Sequence, residues 1–304
     1  MKKFFYSMSA VLAIACAVAC EETKPVDSPA QIGLSGEFTS TSHCGAYGWQ
    51  NVKIGVFVDG AIAQNNLEYA PKDTAQYVSF GMPVSVGEVE LVAASTPAVY
   101  GEGDNVVYAY APYSASAAAY TAVPLPDITV QETFKDPMDM SYWMAPQAKY
   151  SFGYAKSEPV QESSETISLG NFTPVFTAFT MYGATLPDEC KAQKLTKVVV
   201  TAGDKDIASK NATINLETGE ISGELAKSVE FTFGPNGTVL EEGYLGISSG
   251  IFAVNVLLTP TELVQTVLTF TFHVGSSTYV YTGTAIESTY MPGTYELYSL
   301  ESAN

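Results

Sequence analysis

The chain has no arginine: all 14 of its cations are lysines, set against 32 carboxylates for a formal charge of −18 over 304 residues. A surface this acidic repels nucleic acid and anionic headgroups, so neither is expected as a partner. Histidine is nearly missing too, with only His43 and His273. A site with imidazole ligands usually needs two or three of them plus an open position. No metal and no cofactor is therefore expected. Charged residues make up only 15% and hydrophobic ones 46%, which is ample for a core and excludes the composition of a disordered chain. Long apolar runs are confined to one place, the N-terminus.

There, Lys2 and Lys3 precede an apolar stretch over 4–18, interrupted by Ser7 and Ser9. It is shorter than the roughly 20 residues a spanning helix needs. It fits the apolar region of a secretory signal, here 1–19, with small residues before the cut. Ala17-Val18-Ala19-Cys20 followed by Glu21-Glu22 resembles a bacterial lipobox, which implies cleavage before Cys20 and a lipid on its sulfur. Ala13-Ile14-Ala15-Cys16 is an overlapping candidate, but polar residues begin only after Cys20. Residues 20–30 read as a polar, proline-containing tether lifting the fold from an outer membrane. Of the remaining thiols, Cys44 and Cys190 lie far apart and read as unpaired, although an exported chain permits a disulfide.

Beyond the tether the apolar period is two, not 3.6. Strands are expected over 52–58, 86–93, 106–110, 197–201, 212–216, 228–233, 267–274, 278–282 and 294–300. Turn pairs such as Asp59-Gly60, Thr218-Gly219, Asn236-Gly237 and Pro292-Gly293 separate them. Residues 112–119 are rich in alanine and serine, but Pro112 argues against a helix. Many short strands with regular turns give an all-β chain built of β-sandwiches. The polar, acidic stretch 157–166 lacks a strand pattern and marks the expected boundary between an N-terminal unit, 31–157, and a C-terminal one, 166–304.

Catalysis is not expected, since neither histidine has a recognisable triad partner. Glu132, Asp136 and Asp139 cluster near Tyr142 and Trp143. They could form a glycosidase pair beside a sugar platform; a solvated loop with two anchoring aromatics is the plainer reading. Glu88 and Glu90 read as solvent-facing. Asp73-Thr74-Ala75 resembles a short O-glycosylation acceptor of the Bacteroidota, with Thr74 as the acceptor.

The order of several segments resembles the fimbrillin family of Bacteroidota, lipoprotein-precursor pilins and their relatives. These segments are Trp49 with Ile54-Gly55-Val56-Phe57, then Asn66-Leu67-Glu68-Tyr69, then Ala109-Tyr110-Ala111-Pro112-Tyr113. Asp139-Met140, Thr259-Pro260-Thr261 and Met291-Pro292-Gly293-Thr294-Tyr295 follow in the family's order. The resemblance implies two tandem transthyretin-like β-sandwiches. It also implies a first strand, near 32–38, that fills a groove and whose removal would let a partner pilin add a strand. The chain departs from the polymerising members: no cation lies between Lys24 and Lys53, where a maturation protease would cut, and little sequence follows Leu300. The expected function is that of a non-enzymatic surface lipoprotein: a pilus accessory subunit at tip or anchor, or an adhesin binding an unknown receptor. The alternative is a glycan-binding outer-membrane lipoprotein resembling those of starch-utilisation systems, with Tyr142 and Trp143 as its platform.

Overall fold

The structure is a computed structural model, and it describes residues 28–39, 52–72, 85–135, 142–144, 147–150, 152–163, 165–184, 186–240, 252–259, 263–287, 295–297 and 301–302. The elements of the first part are β1 (Leu34–Thr39), β2 (Ile54–Asp59), β3 (Gln64–Pro71), β4 (Ser85–Ala93) and β5 (Val106–Ala111). Short strands follow: β6 (Val123–Pro124), β7 (Val130–Glu132), β8 (Phe134–Lys135), β9 (Tyr142–Met144), one helical turn α1 (Gln147–Tyr150) and β10 (Gly153–Lys156). Next come β11 (Ile167–Asn171), β12 (Thr173–Pro174), β13 (Thr177–Ala184), β14 (Lys194–Thr201), β15 (Ala208–Ile214) and β16 (Ile221–Ala226). Then follow β17 (Ser228–Thr232), β18 (Thr238–Val239), β19 (Phe252–Leu258) and β20 (Val267–Val274). The last are β21 (Ser277–Thr284), β22 (Ile286–Glu287), β23 (Tyr295–Leu297) and β24 (Glu301–Ser302). The chain is all-β, its sheets packed as sandwich-like units, and 112–119 forms turns rather than a helix.

The first sheet has the order β11-β1-β4-β3-β2-β5-β10-β12. Its two ends are one stretch of chain, because only Phe172 separates β11 from β12. The sheet therefore closes on itself. Alternation sorts its side chains: Ile54, Val56, Val58, Val107 and Ala109 join Leu34 and Phe172 in one core. Phe57, Tyr108 and Tyr110 face the other way and enter the larger core shared with the second half of the chain. The Tyr110 ring covers Gly55. Its hydroxyl donates to Asn66 Oδ1 at 2.8 Å, and Asn66, with φ of 52°, sits where the β2–β3 ladder shifts register.

The remaining sheets are a six-stranded one, β22-β23-β13-β19-β9-β8, a seven-stranded one, β24-β21-β20-β14-β17-β7, with β18 on β14, and a small one, β16-β15-β6. The seven-stranded sheet is one-sided: Val198, Val200, Phe231, Leu268, Phe270 and Phe272 are buried, and their neighbours face solvent. Strands from the two sides of 157–166 interleave. β6, β7 and β9 pair with β15, β17 and β19, while β11 and β12 complete the first sheet. The stretch itself is pinned, with Asn105 N–H donating to Val160 O at 2.7 Å and Val160 N–H to Asn105 O at 2.9 Å. Gln131 links two sheets: its amide donates to Leu257 O at 2.7 Å and accepts from Leu257 N–H at 3.1 Å.

Candidate functional site

The sequence directs attention to the first strand, and the structure makes it an interior one. Residues 30–32 pair with 98–100 before β1 begins: Tyr100 N–H donates to Ala30 O at 2.9 Å and Ile32 N–H to Ala98 O at 2.8 Å. β1 then runs antiparallel to β4 and parallel to β11, so neither of its edges is free. Ile167 N–H donates to Gly33 O, and Phe172 N–H to Glu37 O, both at 2.8 Å. Ile32 and Leu34 are 3% and 1% exposed and fill the first core. Gly36 carries no side chain because the Phe172 ring lies where one would go, 2.9 Å from an added methyl. The sequence expectation of 32–38 thus lies within one or two residues of the observed strand.

One polar group fastens the strand further. The buried Ser35 hydroxyl donates to Glu88 Oε1 at 2.5 Å, across the β1–β4 ladder. Hydrogen bonds from Ser35 and then Ser168 hold the Glu88 carboxyl below its ordinary range. A carboxylate that accepts such bonds favours its charged form. Glu88 and Glu90 are solvent-facing, as their spacing implies, yet Glu88 also secures β1 and Glu90 pairs with Lys72 at 2.6 Å. Sequence alone did not single out Ser35 or Glu88 as a pair, because nothing local relates positions 53 residues apart.

The other sequence candidates separate in space or fall outside the described residues. Cys20, His43, Cys44, Thr74, Asp136 and Asp139 all fall outside them. Tyr142 and Trp143 stand in β9, between β19 and β8, and their side chains also lie outside the description. Glu132 is exposed and pairs with Lys149 at 2.9 Å. His273 lies on the solvent side of β20, opposite Lys197 and Thr278. Cys190 is free and fully buried, and burial pushes its thiol up, which makes it a poor nucleophile. Gly246-Ile247-Ser248-Ser249-Gly250 has the spacing of a nucleophile elbow. That motif needs a helix directly after it, whereas here strand β19 starts at Phe252. Among the described residues no group of three or more His, Cys, Asp or Glu could hold a metal. No helix among them is long and apolar enough to cross a membrane.

The described surface also carries an open groove of about 730 Å³, lined by Glu132, Lys197, Glu230, Thr232, Gly234 and Pro235 among others. Its charges are mutually engaged: Lys197 pairs with Glu230 at 2.7 Å, and Glu132 with Lys149. Among the described residues no aromatic ring lines it.

The structural neighbours include candidate cell adhesion proteins and a fimbrial assembly protein. A candidate cell adhesion protein from Bacteroides ovatus aligns over 91% of this chain and 97% of its own, with 13% identity and a TM-score of 0.49. A second, from Bacteroides uniformis, aligns over 92% and 99% with 14% identity and a TM-score of 0.47. A fimbrial assembly protein from Parabacteroides distasonis aligns over 88% and 90% with 12% identity and a TM-score of 0.42. Scores at this level carry no functional argument. No family model and no curated protein matches the chain.

What the first-strand slot can do is physical rather than chemical. If β1 left, β4 and β11 would present unpaired backbone groups, and the places of Ile32 and Leu34 would stand empty. Such an edge accepts a foreign strand through main-chain hydrogen bonds, with pockets for alternate side chains. With β1 in place that edge is satisfied.

Proposed function

We propose that this chain is a non-enzymatic, fimbrillin-like surface lipoprotein acting in cell adhesion. It serves as an accessory subunit of a pilus, at its tip or anchor, held in the outer membrane by a lipid on Cys20. The observation that supports this most is the position of β1. A short tether leads from Cys20 into a strand that is hydrogen-bonded on both edges and buried through Ile32 and Leu34. The lipidated Cys20 of this reading and the slot strand are close in sequence, which supports a role for the closed edge near the membrane end. The absence of a cation between Lys24 and Lys53 supports retention of the strand, since a trypsin-like protease needs one at its cut. Lys53 itself is tied to Glu68 at 2.8 Å, immediately before β2.

Two measurements test this reading. Cys20→Ser should move the protein out of the outer-membrane fraction; retention there ends the lipoprotein claim. Native cells should yield the protein in purified pili, with a mature N-terminus at Cys20 rather than beyond Phe38. Filaments built from this chain alone after trypsin-like cleavage would exclude an accessory role. Glycan binding lost on Trp143→Ala, without association with pili, would favour the glycan-binding alternative.

A further inference from the structure

The turn between β17 and β18 carries reactive groups that the adhesive reading leaves idle. It runs Gly234-Pro235-Asn236-Gly237, with Pro235 and Asn236 at its corner. Asn236 is exposed, and it is the chain's one asparagine followed directly by glycine. The residue after an asparagine decides whether its amide nitrogen can reach the side-chain carbonyl, and glycine sets no side chain in the way. Gly237 also holds φ of 71°, in the region that glycine enters without steric cost. Its N–H is nearly free, reaching Gly234 O only at 3.5 Å, beyond the usual span of such a bond. Asn171 is the contrast. It is exposed as well, but the next amide, that of Phe172, donates to Glu37 O at 2.8 Å and carries a buried ring.

We propose that Asn236 is a self-modifying site, converting to aspartate and isoaspartate in the folded chain with water as the only co-reactant. The Gly237 nitrogen, its proton lost to solvent, attacks Asn236 Cγ. A C–N bond forms between them. The bond from Cγ to the side-chain nitrogen breaks, and that nitrogen takes up a proton and leaves as ammonia. Water then opens the cyclic imide. Breaking its bond at Cγ leaves aspartate. Breaking it at the main-chain carbonyl leaves isoaspartate, whose backbone runs through the side chain. The net change is water taken up and ammonia lost, with nothing oxidised or reduced. Either product adds a carboxylate to a turn whose other residues, Gly234, Pro235 and Gly237, line the groove beside Lys197 and Glu230. The turn lies hard against β14: a methyl placed on Gly237 would stand 2.7 Å from Leu195 O and 3.2 Å from Thr196 Cα. Isoaspartate adds a methylene to the main chain there, so it loosens the pairing of β18 with Lys194 and Leu195.

The test holds the purified mature chain, with Cys20→Ser so that it carries no lipid, at neutral pH and growth temperature. Samples are then cleaved after glutamate and the peptides weighed. Peptide 231–241 has Asn236 as its one amide side chain, and peptide 166–189 has Asn171 as its own. The expected result is that 231–241 gains one mass unit with time and splits into two products. One of them, the isoaspartate, is a substrate for an isoaspartyl methyltransferase. The rate should rise with pH, because the attacking nitrogen must lose its proton, and should not depend on protein concentration. A bonded amide reacts only through local opening, so Asn236 should outrun Asn171 at least tenfold. Asn236→Gln moves the side-chain carbonyl one carbon further out, and its peptide should keep its mass. Amide exchange over 238–240 should quicken in the converted chains. An unchanged mass of 231–241 in the folded chain would overturn the proposal. So would an equal rate at Asn171, or aspartate formed without isoaspartate, which is the mark of direct hydrolysis. Unaltered exchange over 238–240 would overturn the loosening of β18.

Discussion

Gly55 lacks a side chain because the ring of Tyr110 occupies its place. Substitution by alanine would force that ring off its site, and with it the hydroxyl that joins Asn66 and Ser114. Overpacking of this kind costs about 1–3 kcal/mol. Gly55→Ala is therefore expected to lower stability by at least about 2 kcal/mol in urea unfolding. Gln131 acts differently, as a side-chain amide standing in for a strand. Gln131→Leu keeps the volume but strands the N–H and C=O of Leu257 in a buried place. An unpaired buried polar group costs about 1–3 kcal/mol, so this variant should be destabilised by roughly 2 kcal/mol or more in the same assay. A change below about 0.5 kcal/mol would mean that water replaces the amide.

At the scale of the element, β1 should respond to pH through Glu88. Its folded pKa is depressed, so its contribution to stability is fully present above the ordinary carboxylate pKa and fades as the pH falls through the depressed value. Amide exchange in 34–39, corrected for intrinsic rates, should therefore quicken toward acid, and Glu88→Gln should abolish that pH dependence. Exchange that stays insensitive to pH would show that the Ser35 bond does not hold the strand. Ten of the 24 strands were legible in the sequence. The apolar period of two gives 267–274 in full and brings β2, β4, β5, β14, β17 and β21 within a few residues of their ends. It misses the longer β3, β13, β16 and β19, and also β7 and β9, short strands that owe their state to parallel partners some 100 residues away rather than to any pattern of their own. The slot of β1 was legible only in outline. Its burial follows from Ile32 and Leu34, but its parallel neighbour β11 lies beyond the polar stretch 157–166, which reads as a boundary in composition and is crossed by sheets in space. The pairing of β14, β20 and β21 was equally hidden. Alternation announces which residues point outward, while the register that sets three strands side by side has no local signature.

At the scale of the whole molecule, the interleaving predicts that the two halves are not separable. A fragment covering 31–157 lacks β11 and β12, which join β1 to β10, and carries β6 and β7 without partners and β9 with β8 alone. It should be expanded and protease-sensitive, whereas a fragment extended through residue 174 should regain the first sheet. A compact, cooperatively melting 31–157 would show that the first sheet closes without β11 and β12. The late arrival of β11 also sets a timetable. If the chain leaves the cytoplasm N-terminus first, Ser35 emerges 132 residues ahead of Ile167, against which it must lie. Closing so long a loop is slow, and during that interval β1 has at most one partner. A strand from another nascent chain could take its place then far more easily than after closure. The parallel pairing of β1 with β11 thus makes the interval after export, rather than the finished fold, the time at which this protein is most exposed to pairing with the wrong copy.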